Sequence, residues 1–225
     1  MKALAFALAL FAAGSVPAFA QTIASWTFET SVPVTAGPLA PEVGVGSALG
    51  FHAGASTYSS PVGDGSAHSF SSTTWATGDY YQFQVSTIGQ SGISLSWDQT
   101  SSNTGPKDFK LAYSTNGTTF TDVASYAVLA NGSPNVAWSS GTYQSAFHLN
   151  YSLSAAVDNQ SAVYFRLIDT STVSANGGVV QAGGTDRVDN FTVAAIPEPP
   201  TYALLLGSAG FAGVLLRRRR NAAQI

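Results

Sequence analysis

The sequence predicts an all-β protein, an antiparallel β-sandwich, between two terminal segments of a different character. Short runs of alternating apolar and polar residues recur along the chain, whereas long helical periodicity is absent. Gly, Ser and Thr are abundant, which favours short strands joined by turns. The roughly 175 residues between the two ends suffice for one hydrophobic core. We therefore predict one sandwich domain over residues 21–195.

The strand patterns differ in clarity along the chain. Stretch 37–65 is rich in Gly, Pro, Ala and Ser, and it predicts a surface excursion with one weak strand near Phe51. Asn116-Gly117 predicts a hairpin turn into a strand around Phe120 and Val123. The other strands are predicted at 24–28, 67–71, 81–85, 93–97, 109–113, 143–153, 163–167 and 188–194. In most of these, one face is apolar and the other is small or polar, as in a sheet covered on one side.

The N-terminal segment, residues 1–20, has the organisation of a secretory signal peptide. Lys2 supplies the positive charge, residues 3–13 form the apolar region, and Ala18 and Ala20 form a small-x-small cleavage site. We therefore predict that signal peptidase cleaves after Ala20 and that Gln21 begins the mature protein. A retained N-terminal anchor is the alternative.

The C-terminal segment, residues 196–220, has three parts in a fixed order. Pro197-Glu198-Pro199 comes first, and residues 201–216 then form an uncharged apolar run of roughly 24 Å as a helix, slightly short of the bilayer core. Arg217, Arg218, Arg219 and Arg220 follow, and by the positive-inside rule they place the C-terminus in the cytoplasm. A plain single-pass anchor is one interpretation.

The three ordered parts resemble the PEP-CTERM sorting signal: a Pro-Glu-Pro motif, a short transmembrane helix and an Arg-rich end. The same tail is also labelled an ice-binding protein C-terminal domain. The resemblance implies transient anchoring in the inner membrane of a Gram-negative bacterium. It also implies processing by an exosortase, a membrane protease of bacteria that make extracellular polysaccharide. It covers only the tail, and the family's exported bodies have no assigned activity.

Charge and cysteine content exclude several classes of function. Between the two terminal segments lie four basic residues and eleven acidic ones, a net charge of −7. An acidic domain with no basic stripe argues against nucleic acid as a partner. There is no cysteine, so neither disulfides nor thiol chemistry are available. The three histidines, His52, His68 and His148, show no metal-ligand spacing and are interpreted as isolated residues.

Aromatic residues offer the first candidate binding site. Trp26 and Trp97 alternate in phase with apolar neighbours, and we assign them to the core. Trp75 and Trp138 lie among Ser, Thr and Gly in predicted loops. With Tyr80, they are predicted to form an exposed aromatic platform that binds glycan.

The ends of the domain offer the second candidate site. Phe28-Glu29 lies at the end of the first predicted strand, and Asp186-Arg187-Val188-Asp189 lies at the start of the last. This pattern resembles jelly-roll modules of the carbohydrate-binding and galactose-binding-like kind, which implies a jelly-roll type of sandwich. The resemblance also implies that Glu29 and Asp189 share a structural Ca²⁺ ion. The alternative is that the Asp186–Asp189 stretch forms a local ion-pair turn.

These observations leave three hypotheses for function. The first is a non-enzymatic surface or matrix protein, exported, sorted by an exosortase and associated with biofilm polysaccharide. The second is a carbohydrate-binding, lectin-like module. The third is a hydrolase with an unrecognised site, since the sequence contains no known catalytic motif.

Overall fold

The computed structural model of the chain describes residues 20–197. Within that range the structure has thirteen strands and two single-turn 3₁₀ helices, at Ser145–Phe147 and Ala155–Val157. The strands are β1 (Gln21–Trp26), β2 (Val43–Gly44), β3 (Gly46–Phe51), β4 (Tyr58–Ser59), β5 (Phe70–Thr73), β6 (Tyr80–Val85), β7 (Gln90–Ser101), β8 (Asp108–Ser114), β9 (Thr121–Ala127), β10 (Leu129–Ala130), β11 (His148–Ser152), β12 (Val163–Asp169) and β13 (Thr185–Pro197). The described part of the chain is therefore all-β.

The strands form two sheets. The eight-stranded sheet has the order β10-β7-β13-β1-β2, with β11 also beside β7, β5 beside β13, and β4 beside β5. The five-stranded sheet has the order β3-β6-β12-β8-β9. All its pairs are antiparallel, and in the larger sheet only β10 runs parallel to its neighbour β7. The predicted antiparallel sandwich is confirmed.

Aromatic side chains from both sheets fill the core. Trp26 on β1, Trp97 on β7 and Phe191 on β13 come from the larger sheet, and all three are fully buried. Phe83 on β6 stacks on Phe191 with ring centroids 3.5 Å apart, so the two sheets contact each other through this pair. The assignment of Trp26 and Trp97 to the core is confirmed.

The largest difference from the sequence-based prediction lies between residues 37 and 65. This stretch holds three strands, and β3 pairs with β6 over its whole length at one edge of the five-stranded sheet. Small residues hide the pattern, because Ala48 and Gly50 are the buried positions of β3. Gly50 has no room for a side chain, since an added Cβ would contact the Tyr58 ring.

The hairpin at Asn116-Gly117 is confirmed between β8 and β9, and Gly117 has a φ of 76°. The three members of the predicted ion-pair turn, Asp186, Arg187 and Asp189, instead lie within β13. No salt bridge joins them in the described part of the chain. Residues 20–197 contain no helix long and apolar enough to cross a membrane. The predicted signal peptide, apart from Ala20, and the predicted tail beyond Pro197 lie outside the described residues.

Candidate functional site

The outward face of the five-stranded sheet carries planar side chains where a sheet in water usually carries small polar or charged ones. Strand alternation places every second residue of β3, β6 and β12 on this face. The outward residues are Ser47, Leu49 and Phe51 on β3, Tyr80, Gln82 and Gln84 on β6, and Tyr164, Arg166 and Ile168 on β12. All nine are accessible in part, and Phe51 is the most exposed aromatic among them at 44%.

Four of the planar groups on this side of the molecule stack into one row, which we call the planar row: Phe51, Tyr80, Arg166 and Phe120. The rings of Phe51 and Tyr80 have centroids 4.8 Å apart and planes 16° apart. The Cζ of Arg166 lies 3.9 Å from the centroid of Tyr80 and 3.8 Å from that of Phe120. The guanidinium is thus held between two rings, with cation–π attraction on both sides.

Gln82 fixes the orientation of the guanidinium. The Nε of Arg166 donates a hydrogen bond of 2.8 Å to Oε1 of Gln82, its direct cross-strand partner. Partial burial lowers the pKa of Arg166, and the nearby Tyr80 opposes that effect. Three contacts therefore hold this side chain, so its geometry is set before any ligand arrives.

A shallow groove of about 540 Å³ continues from one end of this face. Ser47 and Gln84 belong to both the face and the groove, and the other groove residues come from β1, the β2–β3 region, the end of β6 and Ser161. From Tyr80 to Gln84 the strand rises about 13 Å. The face and groove together form an elongated surface with aromatic rings at one end and, at the other, one amide (Gln84) among serine, glycine and aliphatic residues.

The prediction that Trp75, Tyr80 and Trp138 form one exposed aromatic platform is wrong, because two of the three residues are buried. Trp75 is 6% exposed and packs edge-on against Tyr81, while its Nε1 donates to the Ser72 carbonyl. Trp138 is 4% exposed, because it packs on Phe147 and donates to the carbonyl of Val62. Only Tyr80 reaches an outer face. Sequence reasoning missed its neighbours Phe51 and Arg166.

Glu29 and Asp189, the predicted calcium ligands, hold the same loop, residues 64–68. The Glu29 carboxylate accepts hydrogen bonds from the backbone N–H groups of Ala67 and His68, at 3.2 and 3.0 Å. Oδ2 of Asp189 accepts from the backbone N–H of Asp64 at 3.0 Å and from the Ser66 hydroxyl at 2.6 Å. The sequence-based pairing of the two chain ends is thus partly reproduced, because both carboxylates hold one loop.

These contacts do not fit a calcium ion, because Ca²⁺ requires six to eight oxygen ligands. The groups around both carboxylates are instead N–H and O–H donors, and Oδ1 of Asp189 also accepts from the Asn190 N–H at 2.8 Å. Residues 20–197 contain no group of three or more His, Asp or Glu side chains arranged to hold a metal. A shared Ca²⁺ stays a prediction that these contacts do not favour.

Two further buried carboxylates lie near Asp189. Asp98 pairs with it across β7 and β13 and contacts Nδ1 of His148 at 2.8 Å. Asp64 accepts two hydrogen bonds from the N–H of Gln144. Burial raises the pKa of Asp189 to about 7 and that of Asp64 to about 6, and the hydrogen bonds these carboxylates accept oppose the rise. His148 is therefore not an isolated residue, contrary to the sequence interpretation.

His52 is not isolated either, because it lies between a carboxylate and a hydroxyl as in a catalytic triad. Its Nδ1 is 2.8 Å from Oδ2 of Asp79, and its Nε2 is 2.9 Å from Oγ of Ser72. A triad serine must meet its substrate from solvent. Ser72 is fully buried, its hydroxyl lies 3.2 Å from that of Tyr81, and Trp75 covers His52 with centroids 4.7 Å apart. As placed, the three residues form a closed interior network.

Comparison with known proteins gives distant likenesses. No protein-family model and no curated protein match the sequence. The K1 cleaved adhesin domain of Lys-gingipain from Porphyromonas gingivalis W83 is similar at 12% identity and a TM-score of 0.45, covering 79% of this chain and 98% of that one. The K2 adhesin domain of Lys-gingipain has 14% identity and a TM-score of 0.42, covering 75% and 96%. The CBM22-1–GH10 modules of Clostridium thermocellum endo-1,4-β-D-xylanase 10B, complexed with xylohexaose, have 12% identity and a TM-score of 0.46, covering 80% and 29%. Likenesses this distant carry no argument about ligand or activity.

Proposed function

We propose that the domain is a carbohydrate-binding module and that it binds a glycan chain along the outward face of the five-stranded sheet. The observation that carries the proposal is the planar row with Gln82 and Gln84 beside it. Aromatic rings offer apolar surface on which the C–H face of a sugar packs. Glutamine amides offer both donors and acceptors for hydroxyl groups. The mutual stacking of the row supports a preformed site with a small entropic cost of binding.

The opposite outer face is the less favoured location. Outward positions of the eight-stranded sheet carry Ser25, Ser96, Asn150 and Thr192, and two of these, Ser25 and Thr192, bond to each other at 2.8 Å. Tyr143, 50% exposed and edge-on to His148, is an exposed aromatic on this side. It therefore provides a matched control for the proposed site.

The test is a glycan array probed with the full chain in a polyoxyethylene detergent, which carries no sugar. We expect the wild type to bind one or more polysaccharides, and Phe51→Ala and Tyr80→Ala each to weaken that binding at least tenfold. Tyr143→Ala removes a comparable aromatic surface and should leave binding unchanged. Loss of binding in Tyr143→Ala alone would place the site on the other sheet, and no binding to any glycan would refute the function.

We also propose that the chain is a non-enzymatic exported protein that carries the glycan site to the cell surface or matrix. The support is the signal-peptide pattern ending at Ala20 and the ordered Pro-Glu-Pro, apolar and Arg-rich parts of the tail. We further propose that the sandwich is of the jelly-roll type. The support is that the consecutive strands β5, β6, β7 and β8 alternate between the two sheets. Mass spectrometry of the mature protein should find Gln21 at its start and cleavage near Pro197–Pro199. A stable full-length tail beside an active exosortase would contradict this processing.

A further inference from the structure

Arg166 has binding capacity that its own protein does not use. A guanidinium carries five N–H donors in a planar fork. Among the described residues, its recorded hydrogen bond is the one from Nε to Gln82, which leaves both Nη groups without an acceptor. No carboxylate of residues 20–197 lies within salt-bridge distance of it. The charge is thus fixed in place and not neutralised.

This lack of a partner is unexpected in a domain with a net charge of −7. Asp122 on β9 lies opposite Ala112 of β8, which lies opposite Arg166, and it is 2.9 Å from Nζ of Lys110 and therefore already paired. The outward positions of β3, β6 and β12 include no Asp or Glu. On β8, the outward Asp108 lies four positions along the chain from Ala112, the cross-strand partner of Arg166. Arg166 is consequently a cation with no carboxylate partner among the described residues.

We propose that Arg166 makes this face selective for acidic glycans, whose uronic acid carboxylates its Nη groups bind while the neighbouring rings and amides hold the sugar. The inference rests on the proposed glycan-binding function and specifies its ligand class. A carboxylate matches the guanidinium fork and accepts two parallel hydrogen bonds from it. The rings of Tyr80 and Phe120 confine the guanidinium, so little rotamer freedom is lost when those bonds form.

The acidity of the domain opposes this selectivity only at long range. At physiological ionic strength, interactions between exposed charges are screened beyond about 8 Å. A carboxylate at hydrogen-bond distance from Arg166 is well within that length, whereas most of the eleven acids are spread over the rest of the chain. The contact at Arg166 therefore decides which glycan is retained.

The experiment compares pairs of polysaccharides that differ only in charge. Polygalacturonate, polymannuronate and polyglucuronate are each presented beside their carboxyl-reduced forms, and affinity for the full chain in polyoxyethylene detergent is measured. We expect at least one polyuronate to bind about tenfold or more tightly than its reduced form, in line with one bidentate charged contact. Arg166→Gln should abolish that preference, so that the polyuronate and its reduced form bind this variant with similar affinity, and a cooperative thermal unfolding transition reports that the variant remains folded.

Lys107→Gln is the charge-matched control. It removes one positive charge five residues along the chain from Ala112, the β8 partner of Arg166, which is about 17 Å along an extended strand. We expect this variant to keep the preference for the acidic polymer. If no polyuronate binds better than its reduced form, or if Lys107→Gln loses the preference as fully as Arg166→Gln does, the inference is wrong. Neutral polymers that still bind in that case would leave the glycan-binding function intact, so the two failures are distinguishable.

Discussion

Asp79 is predicted to be one of the most important single side chains for the stability of the sandwich. Its side chain is 1% exposed, and it accepts from the backbone N–H of Ala53 at 2.9 Å and of Ala76 at 2.8 Å, in addition to its contact with His52. These partners belong to the segment after β3 and to the loop before β6. One carboxylate therefore holds two loops at the same end of the sheet.

Asp79→Ala should lower the free energy of unfolding, because it leaves the hydrogen-bond partners of Asp79 without an acceptor. Removing one member of a buried charged or hydrogen-bonded pair costs roughly 3–5 kcal/mol, because the remaining donors lose their acceptor away from water. At about 4 kcal/mol, and roughly 2–4 °C per kcal/mol for a domain of this size, the melting temperature should fall by about 8–16 °C. Asp122→Ala is the control, since its exposed pair with Lys110 is worth less than about 1 kcal/mol.

The assay is thermal unfolding of the full chain in detergent, followed by tryptophan fluorescence and accompanied by an ester-hydrolysis assay. Ser72→Ala should cost roughly 1–3 kcal/mol, because the buried Nε2 of His52 loses its partner, and should change no hydrolytic rate. A drop in melting temperature for Asp79→Ala no larger than that for Asp122→Ala would refute the structural role. Ester hydrolysis that is present in the wild type and abolished by Ser72→Ala would refute the closed network and restore the hydrolase hypothesis.

Three further predictions concern the rest of the domain. The pKa of Asp189 is raised from 3.8 to about 7, so between these pH values the folded state holds a proton that the unfolded state releases. The free energy of unfolding should therefore be highest below pH 4 and fall by on the order of 4 kcal/mol as pH rises to about 7. Asp189→Asn should flatten the melting temperature between pH 4 and 7. Because Glu29 and Asp189 already accept hydrogen bonds from loop 64–68, melting curves in calcium and in chelator should coincide. A melting temperature that rises with calcium in the wild type but not in Glu29→Ala would instead favour a bound ion. Trp138→Ala should lower stability by roughly 3–5 kcal/mol, as for other buried aromatics, and leave the glycan affinity of the folded protein unchanged; a selective loss of affinity would return Trp138 to the binding site.

The sandwich was predictable because its central strands alternate strictly. Tyr81, Phe83 and Val85 of β6 are buried while the residues between them are partly exposed, and β12 repeats the pattern. The edge strand β3 was underestimated because its buried positions are Ala48 and Gly50, whose small side chains give no hydrophobic signal. Composition therefore predicts only one weak strand near Phe51, whereas pairing with β6 defines a full strand over Gly46–Phe51.

The candidate site was predictable only in part because it depends on register between distant strands. Tyr80 stands out in the sequence, but the other members of the planar row come from β3, from β12 and from the turn before β9, and they lie up to 86 positions from Tyr80 in the chain. For Trp75 and Trp138, the sequence predicted exposed side chains and the structure buries them. Their polar neighbours indicate loops, yet these loops fold back over the sandwich, and each indole finds a carbonyl acceptor for its N–H.

Glu29 and Asp189 show how a sequence can indicate a position and leave the chemistry open. β1 and β13 pair along the sheet with Trp26 opposite Phe191, so Glu29, which follows β1, and Asp189, two positions before Phe191, were bound to lie in one region. Two carboxylates in one region need either a cation or hydrogen-bond donors, and the pattern of residue types cannot choose between them. Loop 64–68 supplies backbone N–H groups and the Ser66 hydroxyl, and Gly63 allows its close approach, because an added Cβ there would contact Oδ2 of Asp189. The loop thus does for these two acids what the predicted ion would have done, and a side chain at position 63 would separate it from Asp189.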